Sequence, residues 1–166
     1  MPSAGRCADP SPTPARAPFR NSAATVAESP AGVVYADTSA LVKLVVREAE
    51  SDALEARLRQ TRSVTTSAIT SVELLRAVAR ARSELRANVA DEWAVLALLA
   101  TAAEIPLTDE IRAAASALPP VELRALDAIH LASAMAIGDE LGGVLTYDER
   151  MRAAATTHGL ALLAPA

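Results

Sequence analysis

The sequence predicts an α/β fold: a short, mostly parallel central sheet with helices on both faces. Three observations carry that expectation. Short apolar, strand-like runs alternate with helix-like segments along most of the chain. Parallel strands joined by right-handed helical crossovers put helices on both faces of the sheet. Hydrophobic residues make up 51% of the 166 and charged residues 22%, which suits one domain with a real core.

The first 32 residues stand apart. They hold Pro2, Pro10, Pro12, Pro14, Pro18 and Pro30, six of the ten prolines, with many Ala and Ser and no apolar run. Proline at that density blocks helix and ladder alike, so a disordered tail is expected over 1–32, with the folded domain over 33–166. Arg6, Arg16 and Arg20 against Asp9 and Glu28 give the tail a faint likeness to a transit peptide. It lacks the apolar core of a secretory signal, and its prolines spoil an amphipathic helix, so it reads as a plain tail or an upstream start.

Within the domain, Val33–Ala36 is a short apolar run ending at Asp37, a buried-strand pattern. Thr38 or Ser39 can cap a helix carrying Leu41, Val42, Leu44 and Val45. Ser51 opens a second helix through Gln60, with Leu54 and Leu58 one turn apart. Residues 63–66 (SVTT) predict the second strand, and a helix follows through Ala81 with Ile69, Val72, Leu75 and Val78 as its apolar stripe. Ser83 can cap the next helix, whose stripe is Leu85, Val89, Trp93, Leu96 and Ala100. Residues 104–107 predict a third strand, with Pro106 tolerable only near an edge or strand end. Thr108 caps a helix with Asp109 and Glu110 in its first turn, where the dipole favours acids. Pro119–Pro120 marks a loop. A helix over 126–137 ends at Gly138, Gly142–Gly143 leads into a fourth strand over 144–147, a helix after Asp148 ends near Gly159, and 160–163 predicts a last strand.

Composition excludes several functions. Phe19, Tyr35, Trp93 and Tyr147 are the only aromatic residues, which argues against RNA-binding sheets that stack bases on aromatic platforms. One cysteine, Cys7, rules out a disulfide framework or a cysteine-ligated zinc within one chain. No stretch reaches the roughly 18 consecutive apolar residues of a membrane span, so a soluble, cytoplasmic protein with no membrane partner is expected. Residues 33–166 carry 13 basic and 18 acidic side chains, a net charge of −5. A nucleic-acid binder of that sign needs a local basic patch or a metal bridging acid to phosphate.

The acids fall where that chemistry needs them. Ligands collect at the carboxyl ends of strands in open α/β sheets. Asp37 follows the first strand and Asp148 follows VLTY; Asp127 sits in the first turn of its helix and Glu73 lies early in the helix after SVTT. Each alone has a plain structural reading: Asp127 complements a helix dipole, Asp148 is an N-cap, Glu73 is an exposed helical residue. Four carboxylates in one crevice repel, so some are protonated or a cation sits among them. Mg²⁺ commonly takes one or two carboxylates with waters and a substrate phosphate. Competing chemistries lack their signatures: there is no GxxxxGK[ST], no GxGxxG after the first strand and no GxSxG. Serine–histidine catalysis would have to use His130 or His158, and His158 falls at a helix C-terminus. Asp37 is followed by Thr38 and Ser39, not by the second acid of an aspartate-nucleophile phosphatase.

Four segments in order, YADTSALVKL (Asp37), TTSAITSVELLRA (Glu73), LRALDAIHLASA (Asp127) and VLTYDERM (Asp148), resemble the PIN-domain ribonucleases, specifically the toxins of VapBC-type toxin–antitoxin pairs. The resemblance covers essentially 33–166. It implies a PIN-like three-layer sandwich and Mg²⁺- or Mn²⁺-dependent endonucleolytic cleavage of RNA. Carried over residue by residue, Asp37 and Asp127 would be the metal ligands. Glu73 and Asp148 would complete the catalytic pocket, orienting a metal-bound water or holding a second ion. Thr38, Ser39 and Thr146 lie beside these acids as possible hydrogen-bond donors to them. His130, one turn after Asp127, reads as a structural or hydrogen-bonding partner rather than a ligand. The resemblance also implies a cognate antitoxin protein, and with the Ala- and Leu-rich helix faces (residues 85–99 among them) a homodimer. Arg57, Arg59, Arg62, Arg76, Arg80, Arg82 and Arg86 form a basic cluster. Arg76 and Arg80 are placed to meet RNA phosphates, or simply to solvate a helix face. Two other functions remain open: a PIN-like module that binds or regulates without catalysis, and an RNA- or DNA-processing nuclease that is not a toxin.

Overall fold

The computed structural model describes residues 32–86 and 89–165. The expected tail, with Cys7, Arg6, Arg16 and Arg20, lies outside the described residues apart from Gly32. Four strands form one all-parallel sheet in the order β3-β2-β1-β4: β1 (Val33–Ala36), β2 (Val64–Ser67), β3 (Ala103–Ile105) and β4 (Leu141–Leu145). Seven α-helices join and cover them among the described residues: α1 (Thr38–Val45), α2 (Ser51–Arg59), α3 (Thr70–Ser83), α4 (Glu92–Leu99), α5 (Asp109–Ala117), α6 (Ala125–Met135) and α7 (Glu149–Thr157).

Strand alternation divides the core in two. Val34 and Ala36 point to one face, where Leu41, Val45, Leu54, Leu58, Leu74 and Val78 from α1, α2 and α3 cover them with Val95 and Leu98 of α4. Tyr35 points to the other face, against Leu131 and Ala134 of α6 and Met151, Ala154 and Ala155 of α7; α5 packs on α6. The result is the expected three-layer sandwich. α6 is buried along Ala128, His130, Leu131, Ala132, Ser133 and Ala134. Its small side chains let the helix press close to the sheet, bringing His130 within reach of Tyr35.

Several local expectations change. Asp37, not Thr38 or Ser39, caps α1: its Oδ1 accepts the Ala40 N–H at 3.1 Å. In α3 the inward stripe is Thr70, Leu74, Val78 and Ala81, and Val72 is 60% exposed. Ser83 ends α3 rather than opening a helix, and Leu85 turns the chain with φ 55°. Asp91 caps α4, which buries Val95 and Leu98 and turns Trp93 (70% exposed) and Leu96 outward. A stripe read continuously from Leu85 could not locate that face, because Leu85 lies beyond the end of α3 and Val89 and Ala90 precede the start of α4. β4 begins at Leu141, so Gly142 and Gly143 lie inside it. The register shifts opposite Val33 and Val34, and Gly143 adopts φ +149° with Ala161 O and the Leu163 side chain against it. Residues 160–163 form no strand. They make one parallel bridge, Val144 with Leu162, held by Val144 N–H to Ala161 O (2.8 Å) and Leu163 N–H to Val144 O (2.9 Å). β3 is an edge strand with Pro106 just beyond its end, as the proline requires.

The topology dictates where a ligand goes. From β1 the chain steps to β2 and β3 on one side, while β4 returns on the other. The strand order therefore reverses at β1/β4, and the crevice opens at their carboxyl ends. Asp37 leaves β1 there and Asp148 follows β4 there.

Candidate active site

Asp37 is 5% exposed and held by hydroxyls. Ser39 Oγ donates to Oδ1 at 2.7 Å and Thr146 Oγ1 donates to Oδ2 at 2.8 Å. Thr146 Oγ1 in turn accepts the Asp148 N–H at 3.2 Å, and Ser39 Oγ accepts the Tyr147 N–H at 2.7 Å. Two hydroxyls thus lock the carboxylate of β1 to the backbone leaving β4. Burial pushes the Asp37 carboxyl above its ordinary value, and the bonds from Ser39, Thr146 and Ala40 and the proximity of His130 only partly offset it.

Asp127 lies in the first turn of α6, half-buried, and its Oδ2 is a buried acceptor with no hydrogen-bond partner among the described residues. Its carboxyl is pushed up by burial and then by the charges of Asp148 and Asp37, against the pull of Arg124 and His130. That coupling brings the three aspartates into one electrostatic neighbourhood. Asp148 is the N-cap of α7: its Oδ1 accepts the N–H groups of Arg150 (2.8 Å) and Met151 (3.0 Å). The structural reading of Asp148 therefore holds for one oxygen, and a pocket role would fall to the other.

Glu73 is engaged differently. Its Oε2 accepts from Thr38 Oγ1 at 2.5 Å and from His130 Nε2 at 2.7 Å. Burial alone would push Glu73 up; the hydrogen bonds from His130 and Thr38 outweigh it, leaving the carboxyl below its ordinary value. The placement of Glu73 is local in origin. Thr66 Oγ1 of β2 donates to Ala36 O at 2.7 Å, so its 2.7 Å contact with Thr70 has Thr70 as donor. That pair ties the first turn of α3 to the end of β1.

His130 is the partner that the spacing suggests, and its own second contact was not legible in the sequence. Tyr35 Oη lies 2.7 Å from Nδ1, joining the central strand to α6 beneath the acids. Burial, then the charge of Asp37, pushes the Tyr35 phenol far up, so it is protonated. The one signal was a phenol alternating with two apolar residues in a buried strand. Lys43 was also missed. It is paired with Glu48 (2.7 Å) and Glu50 (2.9 Å), and its ammonium sits 4.6 Å from the Tyr147 ring centroid, bracing the segment that carries Asp148.

The basic cluster divides. Arg59 pairs with Glu55, Arg86 with Glu48, and Arg82 donates to Ala90 O. Arg76 and Arg80 are exposed on α3, their guanidinium groups making no hydrogen bond or ion pair among the described residues, and Arg76 is one turn beyond Glu73.

Among the described residues, no three His, Cys, Asp or Glu side chains form a group able to hold a metal ion unaided. None of Asp37, Asp127 or Asp148 has a cationic ion-pair partner among them either. Asp127 Oδ2, buried and unpartnered, beside a buried Asp37, fits a hard divalent cation that takes two carboxylates and fills its remaining positions with waters and substrate oxygen. No helix among the described residues is long and apolar enough to cross a membrane.

The family model of the PIN domain matches residues 34–156. The chain is 43% identical over 132 residues to Ribonuclease VapC46 of Mycobacterium tuberculosis (strain ATCC 25618 / H37Rv), covering 80% of this chain and 97% of that protein. It is 41% identical over 137 residues to Ribonuclease VapC35 of the same strain and 35% identical over 141 residues to Ribonuclease VapC47 of strain CDC 1551 / Oshkosh, with the same shares covered.

Proposed function

We propose, from the premise that this chain belongs to the PIN-domain family and is a VapC-type ribonuclease toxin, that it cleaves RNA phosphodiesters at the Asp37–Asp127 pocket with a divalent cation, Mg²⁺ or Mn²⁺. The unpartnered, buried Oδ2 of Asp127 carries the proposal. Asp37 and Asp127 would hold the ion. Bound there, it would lower the pKa of a coordinated water and stabilise charge on the scissile phosphate. The chain's own contribution is positioning. Ser39 and Thr146 fix both oxygens of Asp37, Asp148 brings a further negative charge, and Glu73 offers an acceptor for a proton of the attacking water. Arg76 and Arg80, exposed on α3 in the turns that follow Glu73, would meet flanking phosphates, and that contact would weaken with salt.

Two partners belong to the same reading: a cognate antitoxin protein, as the toxin class implies, and a second copy of the chain. Trp93 and Leu96 on α4 offer an exposed apolar face to that copy, and a concentration-independent monomer mass in light scattering would exclude it.

The test is cleavage of a structured RNA pool by the full chain, purified free of antitoxin, with Mg²⁺ or Mn²⁺ against EDTA. Metal-dependent cleavage lost in Asp37→Asn and Asp127→Asn, with folding retained, is the expected result. An Asp127→Asn protein that cleaves like the wild type overturns the assignment of the pocket.

A further inference from the structure

We infer that Tyr35 and His130 form a positioning relay for Glu73, acting through the imidazole to hold one carboxylate oxygen and leave the other for the pocket. The geometry leaves little freedom. An ionised Glu73 can only accept, so His130 Nε2, 2.7 Å from Oε2, must carry its proton toward it. In the neutral imidazole Nδ1 is then an acceptor, and the Tyr35 hydroxyl, 2.7 Å away, is the donor that selects this tautomer. Thr38 Oγ1 donates to the same Glu73 oxygen at 2.5 Å. Oε2 is therefore saturated, and Oε1 makes no hydrogen bond among the described residues.

The arrangement is more than a satisfied core histidine. The His130 side chain is 4% exposed and Glu73 23%, so the relay runs from the core to the edge of the pocket. Its three members come from β1, α6 and α3, and the Tyr35 and His130 rings meet edge-on with centroids 6.0 Å apart. A glutamate on the first turn of a helix has several rotamers open to it; two donors on one oxygen select a single one. Hydrogen-bonded partners that orient a working carboxylate commonly change activity about 10- to 100-fold when removed.

The rate arm of the test rests on the ribonuclease reading above; the spectroscopic arm does not. Nitrogen NMR of the full chain without metal is expected to show His130 as the Nε2–H tautomer with a hydrogen-bonded Nδ1. Tyr35→Phe keeps the ring in the core and should shift that Nδ1 resonance. In cleavage assays Tyr35→Phe should lower kcat about 10-fold with KM unchanged, and should cost nothing further in a Glu73→Gln background. His130→Ala should lose more than His130→Gln, whose amide still offers a donor. An Nδ1–H tautomer, or equal losses for Tyr35→Phe with and without Glu73→Gln, overturns the relay. A wild-type protein that cleaves no RNA removes the ribonuclease reading, and the tautomer then decides the relay alone.

Discussion

Thr146→Val separates the hydroxyl that serves the buried aspartate from the space the side chain fills. Thr146 is fully buried, and its one proton goes to Asp37 Oδ2 at 2.8 Å. Valine matches the shape but leaves that oxygen, buried and charged, with no donor, at a cost of about 1.5–3 kcal/mol. The Asp148 N–H also loses its acceptor, worth about 1 kcal/mol. The added methyl regains about 0.8 kcal/mol at most, because it abuts a carboxylate. The net loss is about 2–3 kcal/mol, or roughly 10 °C in Tm for a domain of this size. The loss depends on pH with a definite sign. Asp37 is already pushed up by burial, and Thr146 is one of the bonds holding it down, so the variant's carboxyl titrates higher still. Above both folded-state values the full loss is present. As the pH falls through the variant's value and then the wild type's, Asp37 becomes neutral and the loss shrinks. Thermal melts in EDTA at neutral and mildly acid pH measure this, with Thr146→Ser, which keeps the hydroxyl and deletes one buried methyl, expected to lose only about 1 kcal/mol and equally at both pH values. An equal loss in Thr146→Val at both pH values, or no loss at neutral pH, would refute the reasoning.

Saturating Mn²⁺ should stabilise the wild-type chain, by about 2.7 kcal/mol at a hundred times its dissociation constant. The shift should disappear with EDTA and in Asp127→Asn, both read by thermal melting. Two apolar helix residues should behave oppositely in urea unfolding: Leu98→Ala, facing the core, loses about 2–5 kcal/mol, while Val72→Ala on the exposed face of α3 stays within about 0.5 kcal/mol. Gly143→Ala should lose about 1–3 kcal/mol. Its φ is +149°, and a Cβ there would lie 2.8 Å from Ala161 O, a backbone atom that cannot swing away; a neutral result in urea would contradict the close approach.

Local signals were legible where a short segment decides its own structure. Thr108 caps α5 with its side chain, as its position before two acids indicated, and Ser51 opens α2. They misled where tertiary contacts choose between faces or between ladder and loop. Val72 and Trp93 are apolar at helical spacing, yet the inward faces of α3 and α4 are set by where Leu74, Val78, Val95 and Leu98 meet the sheet. The apolar run 160–163 has strand composition but pairs only through a single bridge on the far side of β4. Gly142 and Gly143 look like turn residues but lie within β4, beside a register shift, and at Gly143 a Cβ would meet Ala161 O and the Leu163 side chain.

The positions of the acids in the fold were legible because each lies beside a strand end or at a helix start. Their differing states were not, because those depend on partners far away in sequence. Asp37 takes donors from Ser39, two residues on, but also from Thr146, 109 residues on. Glu73 is bound by His130, 57 residues on, and His130 by Tyr35, 95 residues back. These contacts assign different work to similar groups. Asp37 is fixed on both oxygens, and Glu73 is fixed on one. Asp127 is left with a buried oxygen that nothing among the described residues satisfies. An unsatisfied buried carboxylate oxygen costs stability, and Asp148 and Asp37 raise that cost by their charge. A fold that needed only stability would remove it with asparagine or a neighbouring donor. Keeping it, within a pocket whose other acids are held in place by hydroxyls, an imidazole and backbone N–H groups, makes physical sense when a cation completes the site.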